Sequence, residues 1–145
     1  MKIYYVLILL TAVLFVGCNS NQSSANTPGD VLRAYVSSYN RRDIEGMKQT
    51  FSADTMKMYE TMAQRDKTSV NGVIEGQFKV TPANMQMLEI EVGKEEIEGD
   101  TATIESKNTT TNESAKMPCV RENGQWKLAL DKLVKESLKK NKPSI

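Results

Sequence analysis

Few side chains in this sequence could do covalent or acid–base chemistry. The 145 residues include two cysteines, Cys18 and Cys119, and no histidine. Histidine is the usual general base near neutral pH, the commonest metal ligand and the partner of a nucleophilic serine or cysteine. We therefore predict neither a metal site nor a cofactor, and the sequence has no glycine-rich phosphate loop. Asp54 and Glu60 are the candidate acid–base catalysts, provided that burial raises a carboxyl pKa toward neutrality.

The residues before Cys18 predict an export signal. Lys2 is followed by an apolar run over residues 3–16 and then by Gly17. A run of about fourteen residues fits a signal core and is shorter than the roughly 20 residues that span a bilayer. We predict a signal peptide over residues 1–17. Two alternatives remain: a transmembrane anchor, and cleavage after Ser20, which would release a soluble protein without Cys18.

A cysteine directly after the small residue Gly17 resembles the lipobox of bacterial lipoproteins. The resemblance implies that Cys18 becomes the acylated first residue of the mature protein. Several acyl chains, such as palmitate, would anchor it stably, because each buried CH₂ contributes about 0.8 kcal/mol. We expect a membrane-anchored protein of the bacterial cell envelope. Asn19 is not the aspartate that retains enterobacterial lipoproteins at the inner membrane, which favours the outer membrane facing the periplasm if the organism is Gram-negative.

The composition of the mature chain predicts one small, neutral domain. Residues 1–17 contain one of the 19 basic residues and none of the 18 acidic ones, so their removal leaves no net charge. This balance provides no excess of positive charge of the kind that nucleic-acid-binding proteins use. About 125 mature residues fit one domain. Residues 18–27 are expected to be the lipidated cysteine and a flexible tether. With Cys18 acylated, Cys119 has no partner for an intrachain disulfide.

Local signals predict three helices at the start of the domain. Thr27 suits an N-cap and Pro28 the first helical position. Asp43 and Ser52 are caps for two further helices. Each predicted helix carries an apolar stripe: Val31, Leu32, Tyr35, Val36 and Tyr39 in the first, Ile44, Met47 and Phe51 in the second, and Met56, Tyr59 and Ala63 in the third.

From residue 70 onward the pattern predicts strands. Ile74, Phe78 and Val80 alternate loosely until Thr81-Pro82 breaks the run. Apolar residues then alternate at positions 88, 90 and 92, which lie on one face of a strand. In a regular strand Ile97 would lie on the opposite face. A bulge at Gly93 would insert one extra residue and return Ile97 to the same face. Glycine tolerates the backbone conformation that a bulge needs. Gly99-Asp100 is a predicted turn.

The dipeptide Asn123-Gly124 predicts a tight hairpin. Both residues accept the positive φ of a type I′ turn. A two-residue loop pairs Glu122 with Gln125, and the further pairs are Arg121 with Trp126, Cys119 with Leu128, and Met117 with Leu130. The lysine-rich segment after residue 131 is expected to be a short amphipathic helix or a frayed tail. Its lysines, over Lys132–Lys142, fit a solvated face, and contact with anionic lipid is the alternative.

Helices followed by antiparallel strands predict an α+β domain. The sequence resembles the NTF2-like (cystatin-like) superfamily, and within it the bacterial lipoproteins of the DUF4878 or lumazine-binding-like type. The resemblance covers residues 27 to about 131, mainly through caps and turns: Thr27-Pro28-Gly29-Asp30-Val31, Tyr35, Tyr39, Arg42-Asp43, Gly99-Asp100-Thr101-Ala102 and the hairpin over residues 123–128. It implies a cone in which the N-terminal helices pack on a curved antiparallel sheet. The domain would occupy residues 28–131, followed by a basic extension over residues 132–145.

The cavity implied by this resemblance supplies the candidate binding site. Its expected lining is Tyr35, Tyr39, Met56, Tyr59, Phe78, Met87, Cys119 and Trp126. The alternative is that these side chains fill the cone as core, and Cys119 is expected to be an inert buried thiol. We expect a non-catalytic module that binds a small apolar ligand or an envelope protein, with a homodimer left open. The alternative function is an NTF2-like isomerase or dehydratase that uses Asp54 or Glu60.

Overall fold

A computed structural model describes residues 27–80 and 87–140, in which helices pack against one antiparallel sheet. The predicted α+β class is confirmed. The predicted signal peptide, Cys18 and most of the tether lie outside the described residues. The elements in chain order are α1 (Pro28–Asn40), α2 (Ile44–Thr50), α3 (Ala53–Arg65), α4 (Val70–Val80), β1 (Ile90–Glu98), β2 (Thr101–Asn108), β3 (Ser114–Glu122), β4 (Gln125–Leu128) and α5 (Leu130–Lys140). The strands lie side by side in chain order.

The first three helices begin at the predicted caps. The Thr27 hydroxyl accepts a hydrogen bond from the backbone N–H of Asp30, whose carboxylate accepts one from the N–H of Thr27, both at 3.1 Å. This reciprocal capping box satisfies two backbone donors that would otherwise have no partner in the helix. The Asp43 and Ser52 side chains cap α2 and α3 by accepting hydrogen bonds from the backbone N–H groups of Gly46 and Thr55. Short-range hydrogen bonding therefore sets all three starts.

The segment from Val70 to Val80 is a helix, and the predicted strand there is wrong. Ile74 has no exposed surface and Phe78 is half-buried. They are four residues apart, so they lie on the same face of a helix as readily as on the same face of a strand. The deciding local signal is Ser69, whose hydroxyl accepts a hydrogen bond from the N–H of Gly72 at 3.0 Å and caps the helix.

The β1–β2 pair contains the predicted bulge. Its register shifts between Val92 and Glu95, across Gly93. Beyond the shift, Ile97 pairs with Ala102, so the bulge returns Ile97 to the sheet face that carries the core. The side chain of Ile97 is nevertheless 52% exposed.

The β3–β4 hairpin forms in the predicted register, with one correction. Asn123 and Gly124 have φ values of +50° and +77°. The predicted pairs of Glu122 with Gln125, Arg121 with Trp126, and Cys119 with Leu128 are all present.

The predicted pair of Met117 with Leu130 does not form. Strand β4 ends at Leu128, and Leu130 is the first residue of α5. The N–H of Ala129 still donates to the carbonyl of Pro118 at 2.9 Å, after which the chain turns into the helix. The lysine-rich segment is therefore helical through Lys140, and the predicted domain boundary after residue 131 falls inside α5.

The core lies between the helices and one face of the sheet. Met47, Ile74, Ile104 and Leu128 have no exposed surface. The rest of the buried apolar cluster comprises Val31, Leu32, Val36, Phe51, Tyr59, Ala102, Cys119 and Trp126. Within the described residues, no helix has both the length and the apolar character needed to cross a membrane.

Candidate functional site

Five aromatic rings form a continuous group among the helices, which we call the aromatic cluster: Tyr35, Tyr39, Phe51, Tyr59 and Phe78. The ring of Tyr35 lies 6.2 Å from that of Tyr39 and 5.8 Å from that of Phe51, measured between centroids. The Tyr39–Phe78 and Phe51–Tyr59 distances are 5.1 and 5.3 Å. These separations are those of favourable aromatic pairs. The cluster therefore joins α1, α3 and α4 through ring contacts.

The cluster contains four of the predicted lining residues and one that the sequence did not assign to the site. Phe51 is 4% exposed and lies between Tyr35 and Tyr59. Its backbone forms a parallel bridge with Leu128 of β4. The sequence showed Phe51 at the end of the α2 stripe, but that spacing did not reveal that its ring reaches two tyrosines on other helices.

A hydrogen bond gives the aromatic cluster a polar group. The side-chain amide of Gln77 donates to the hydroxyl of Tyr59 at 2.6 Å. Sequence reasoning missed Gln77, because it assigned this segment to a strand. Had the segment been assigned to a helix, Gln77 would have stood beside Phe78 on its buried side.

The environment of the cluster keeps two of its phenols, Tyr35 and Tyr59, protonated. Burial raises the pKa of Tyr35, and the nearby phenols of Tyr59 and Tyr39 raise it further. Burial also raises the pKa of Tyr59, although the hydrogen bond from Gln77 opposes that shift. At neutral pH, Tyr35 and Tyr59 can exchange hydrogen bonds with a neutral polar group but cannot serve as phenolate bases.

The other predicted lining residues lie outside the aromatic cluster. Met56 is half-buried and packs against the core. Trp126 is 2% exposed, and the guanidinium carbon of Arg121 lies 4.4 Å from its ring centroid. Met87 is 65% exposed, beside Leu88, whose backbone exchanges two hydrogen bonds with the Asn40 side chain. The predicted lining is therefore divided among the cluster, the sheet core and the surface.

Comparison with known families identifies the domain. A family model described as the SnoaL-like domain matches residues 29–130. The chain belongs to the SnoaL-like domain family. SnoaL-like domains are members of the NTF2-like superfamily, so the predicted superfamily and fold are confirmed. Searches of curated proteins and of solved structures found no match for the chain.

The thiol of this SnoaL-like domain is deeply buried. Cys119 has no exposed surface and faces Leu128 across the β3–β4 hairpin. Burial, reinforced by the negative charge of Glu95, raises the pKa of Cys119 to about 12. Because the thiolate is the reactive form, this environment suppresses nucleophilic chemistry at neutral pH.

The two carboxylates that could have served as catalysts are on the surface of the SnoaL-like domain. Asp54 and Glu60 both lie on α3 and are exposed. Neither is a member of the aromatic cluster. Over residues 27–80 and 87–140, no group of three or more histidine, cysteine, aspartate or glutamate residues is arranged to hold a metal ion.

Among the described residues, Asp131 has a buried carboxylate, and sequence reasoning did not single it out. Its side chain is 4% exposed and accepts hydrogen bonds from Thr55 at 3.2 Å and from Lys135 at 2.9 Å. Burial alone would raise the pKa of Asp131, but these hydrogen bonds and the Lys135 charge outweigh it, so the pKa is lowered. Asp131 is therefore an ionised acceptor whose oxygens are already engaged.

An open groove of about 520 Å³ lies at the end of the sheet where β1 and β3 begin and β2 ends. Strand alternation places most of its lining side chains on the face opposite Ile104 and Cys119. The lining residues are Glu91, Gly93, Glu105, Ser106, Lys107, Ser114, Ala115 and Lys116. Charges of both signs line this groove, and it is separate from the aromatic cluster of the SnoaL-like domain.

Proposed function

We propose that this SnoaL-like domain is a non-catalytic binding module, held to a membrane of the bacterial cell envelope by lipid on Cys18, and that it takes a small apolar ligand against the aromatic cluster. The observation that carries the ligand proposal is the Gln77–Tyr59 hydrogen bond at 2.6 Å among five aromatic rings. Apolar walls with a few placed polar groups are the usual composition of small-molecule sites.

The degree of burial within the cluster supports a role beyond core packing. Tyr35, Tyr39 and Phe78 are only half-buried, whereas the core residues Met47 and Ile74 have no exposed surface. Half-buried rings retain surface that a ligand can cover, and covering apolar surface is favourable by about 25 cal/mol per Å².

The ligand proposal is tested by native mass spectrometry of the full chain, released from detergent in the gas phase. We expect a fraction of the molecules to carry an additional small mass. Tyr39→Ala removes a half-buried ring that contacts two others, so occupancy should fall about fivefold, in line with roughly 1 kcal/mol for one aromatic contact. Met87→Ala is the matched control, because it truncates an exposed apolar side chain outside the cluster.

Two results would contradict ligand binding: no added mass on the wild-type chain, or equal occupancy in Tyr39→Ala and the wild type. The same spectrum reports the oligomeric state. A dimer without added mass would favour a homodimeric interaction module instead.

The lipid anchor is tested separately by metabolic labelling with a fatty acid. The wild-type chain should take up label and Cys18→Ala should not. Absence of label on the wild type, or label that persists in Cys18→Ala, would remove the anchor from the proposal. The resemblance of Gly17-Cys18 to a lipobox supports this part of the proposal.

The placement of the carboxylates supports a non-catalytic role over an isomerase or dehydratase. Asp54 and Glu60 are exposed. The buried carboxylate of Asp131 is engaged by Thr55 and Lys135. A general base needs a carboxylate within hydrogen-bond reach of the substrate, in a site that tunes its pKa.

A further inference from the structure

The C-terminal half of α5 exposes an apolar stripe. Val134 is 43% exposed and Leu138 is 68% exposed. They are four residues apart, so they lie on one face of the helix. No other pair of large apolar side chains with this spacing is exposed in the described part of the chain. We call Val134 and Leu138 the stripe, and the question is what covers these exposed apolar side chains.

The first turn of α5 is fixed to the domain, which determines where the stripe lies. Asp131 is buried and bonded to Thr55 of α3. Leu130 packs against the core. Lys135 reaches back to Asp131 at 2.9 Å. The stripe is therefore on a helix with a defined orientation, and the exposure of its side chains increases toward the C-terminal end.

The exposed charge around the stripe is mainly positive. Helix α5 contains four lysines and two acids. One of the acids, Asp131, is buried in an ion pair, which leaves Glu136 as the exposed carboxylate of α5. Lys135 is the partner of Asp131 in that ion pair. Lys139 follows Leu138 by one position, so it flanks the stripe. The mature chain as a whole is neutral, and α5 concentrates positive charge next to exposed apolar surface.

The size and charge of this surface favour lipid over protein. A standard protein interface takes roughly 20–30 residues from each partner, far more than this stripe offers. A second copy of the chain would bring another positively charged helix against the first. An anionic bilayer requires no matching shape, attracts each nearby lysine by about 1 kcal/mol, and takes up apolar side chains at its interface. Lysine stems can lie along the interface while their ammonium groups reach the headgroups.

We propose that α5 is a membrane-surface helix, whose Val134 and Leu138 enter the interface of a bilayer containing anionic phospholipid while Lys139 contacts the headgroups. This inference rests on the proposed lipid anchor, because a tethered domain is held next to the bilayer. Two points of attachment, the lipid on Cys18 and helix α5, fix the orientation of the domain on the membrane, which a single tether does not.

The test places a fluorescent reporter on the stripe of the full chain. Trp126 is the natural tryptophan and is 2% exposed, so it serves as an internal reference. Leu138→Trp adds a second tryptophan at the most exposed stripe position. The protein is reconstituted with vesicles of brominated phosphatidylcholine, with or without phosphatidylglycerol. We expect the bromine to quench the added tryptophan in the vesicles that contain phosphatidylglycerol, and to leave the fluorescence of Trp126 unchanged.

The charge requirement is tested in the Leu138→Trp background. Lys139→Gln removes one charge from α5, and the ratio of bilayer-bound to free helix should fall about fivefold. Lys57→Gln is the matched control, because Lys57 is an exposed lysine on α3, and it should leave the quenching unchanged.

Each outcome bears on a different part of the proposals. If the protein sediments with the vesicles but the added tryptophan is not quenched, α5 does not touch lipid and the inference fails, while the anchor stands. Equal quenching without phosphatidylglycerol, or an equal effect of Lys57→Gln, would overturn the anionic contact. Concentration-dependent changes in the added tryptophan's emission without vesicles would assign the stripe to a second copy. Failure of the wild-type protein to sediment with vesicles would contradict the anchor.

Discussion

Thr55 and Asp131 are separated by 76 residues in the chain, and their side chains meet at 3.2 Å in the buried interior. The Thr55 hydroxyl also lies 3.1 Å from the carbonyl oxygen of Leu128 and 2.9 Å from the Ser52 hydroxyl. This polar group joins the start of α3 to the junction between β4 and α5. It therefore fixes the position from which the lysine-rich helix leaves the domain.

Thr55→Val should destabilise the domain by about 1–3 kcal/mol, because the substitution preserves volume but removes the hydroxyl that bonds to the buried carboxylate of Asp131. Thr55 has no exposed surface. Urea unfolding followed by Trp126 fluorescence measures the loss. Thr61→Val, on the exposed face of the same helix, should change the free energy of unfolding by less than about 0.5 kcal/mol. Equal effects of the two substitutions would show that the Thr55 hydroxyl contributes nothing specific.

Asp131 should make stability depend on pH in the acid range. Burial opposes its ionisation, but the hydrogen bonds from Lys135 and Thr55 outweigh burial and lower its pKa from the ordinary value of 3.8. The unfolded chain therefore takes up the proton first. The stabilising contribution is full above the unfolded pKa and is lost as the pH falls through the folded pKa.

The corresponding measurement compares the wild type with Asp131→Asn by urea unfolding between about pH 6 and about pH 2.5. The wild type should be more stable at the upper end, and the difference should shrink toward the lower end. A difference that stays constant across this range would mean that the folded and unfolded pKa values of Asp131 are the same.

Tyr35 should contribute to unfolding at alkaline pH. Burial raises its pKa above the ordinary value of 10.0, so the folded state favours the neutral phenol. The stabilising contribution is present below the unfolded pKa and is lost as the pH rises toward the folded pKa. Tyr35→Phe keeps the ring and removes the ionisation, so its stability should fall less between about pH 9 and about pH 11.5. Ultraviolet titration should also show one fewer late-titrating phenol, and identical alkaline profiles would contradict the assignment.

The parts of the fold that the sequence predicted correctly are those set by local chemistry. Thr27, Asp43 and Ser52 each cap a helix within three residues of themselves. The Asn123-Gly124 turn determines the register of β3 and β4 because both residues accept positive φ. The bulge at Gly93 was predicted because Ile97 would otherwise lie on the opposite face of the strand from the apolar residues before it. None of these features requires knowledge of a distant partner.

Most of what the sequence did not predict depends on tertiary contacts. Helix α4 is the exception, because the spacing of four residues between Ile74 and Phe78 fits a helix or a strand, and the signal that distinguishes them is the local cap at Ser69. The cavity implied by the family resemblance placed Tyr35 and Tyr59 in the candidate site, but Phe51 and Gln77 join them through contacts between separate helices. The pairing of Thr55 with Asp131 leaves no periodic signal in the sequence.

Cys119 should not react with a thiol reagent in the folded protein. With a pKa of about 12, roughly one thiol in 10⁴ is ionised at pH 8, and the side chain has no exposed surface. Unfolding in urea should expose it to rapid reaction. Under those conditions one thiol per chain is expected if Cys18 is acylated, and two would show that Cys18 is free. Fast reaction of the native protein at Cys119 would contradict its burial.

Two glycine substitutions should change stability in opposite directions. Gly76 lies inside α4, and a Cβ added there meets no atom within 4 Å. Gly76→Ala should stabilise the domain by about 0.5–1 kcal/mol, because alanine loses less backbone entropy in a helix. Gly124 has a φ of +77° in the hairpin turn, so Gly124→Ala should destabilise the domain by about 1–2 kcal/mol. Urea unfolding of both variants checks the signs, and a loss of stability in Gly76→Ala would contradict the helical assignment of this segment.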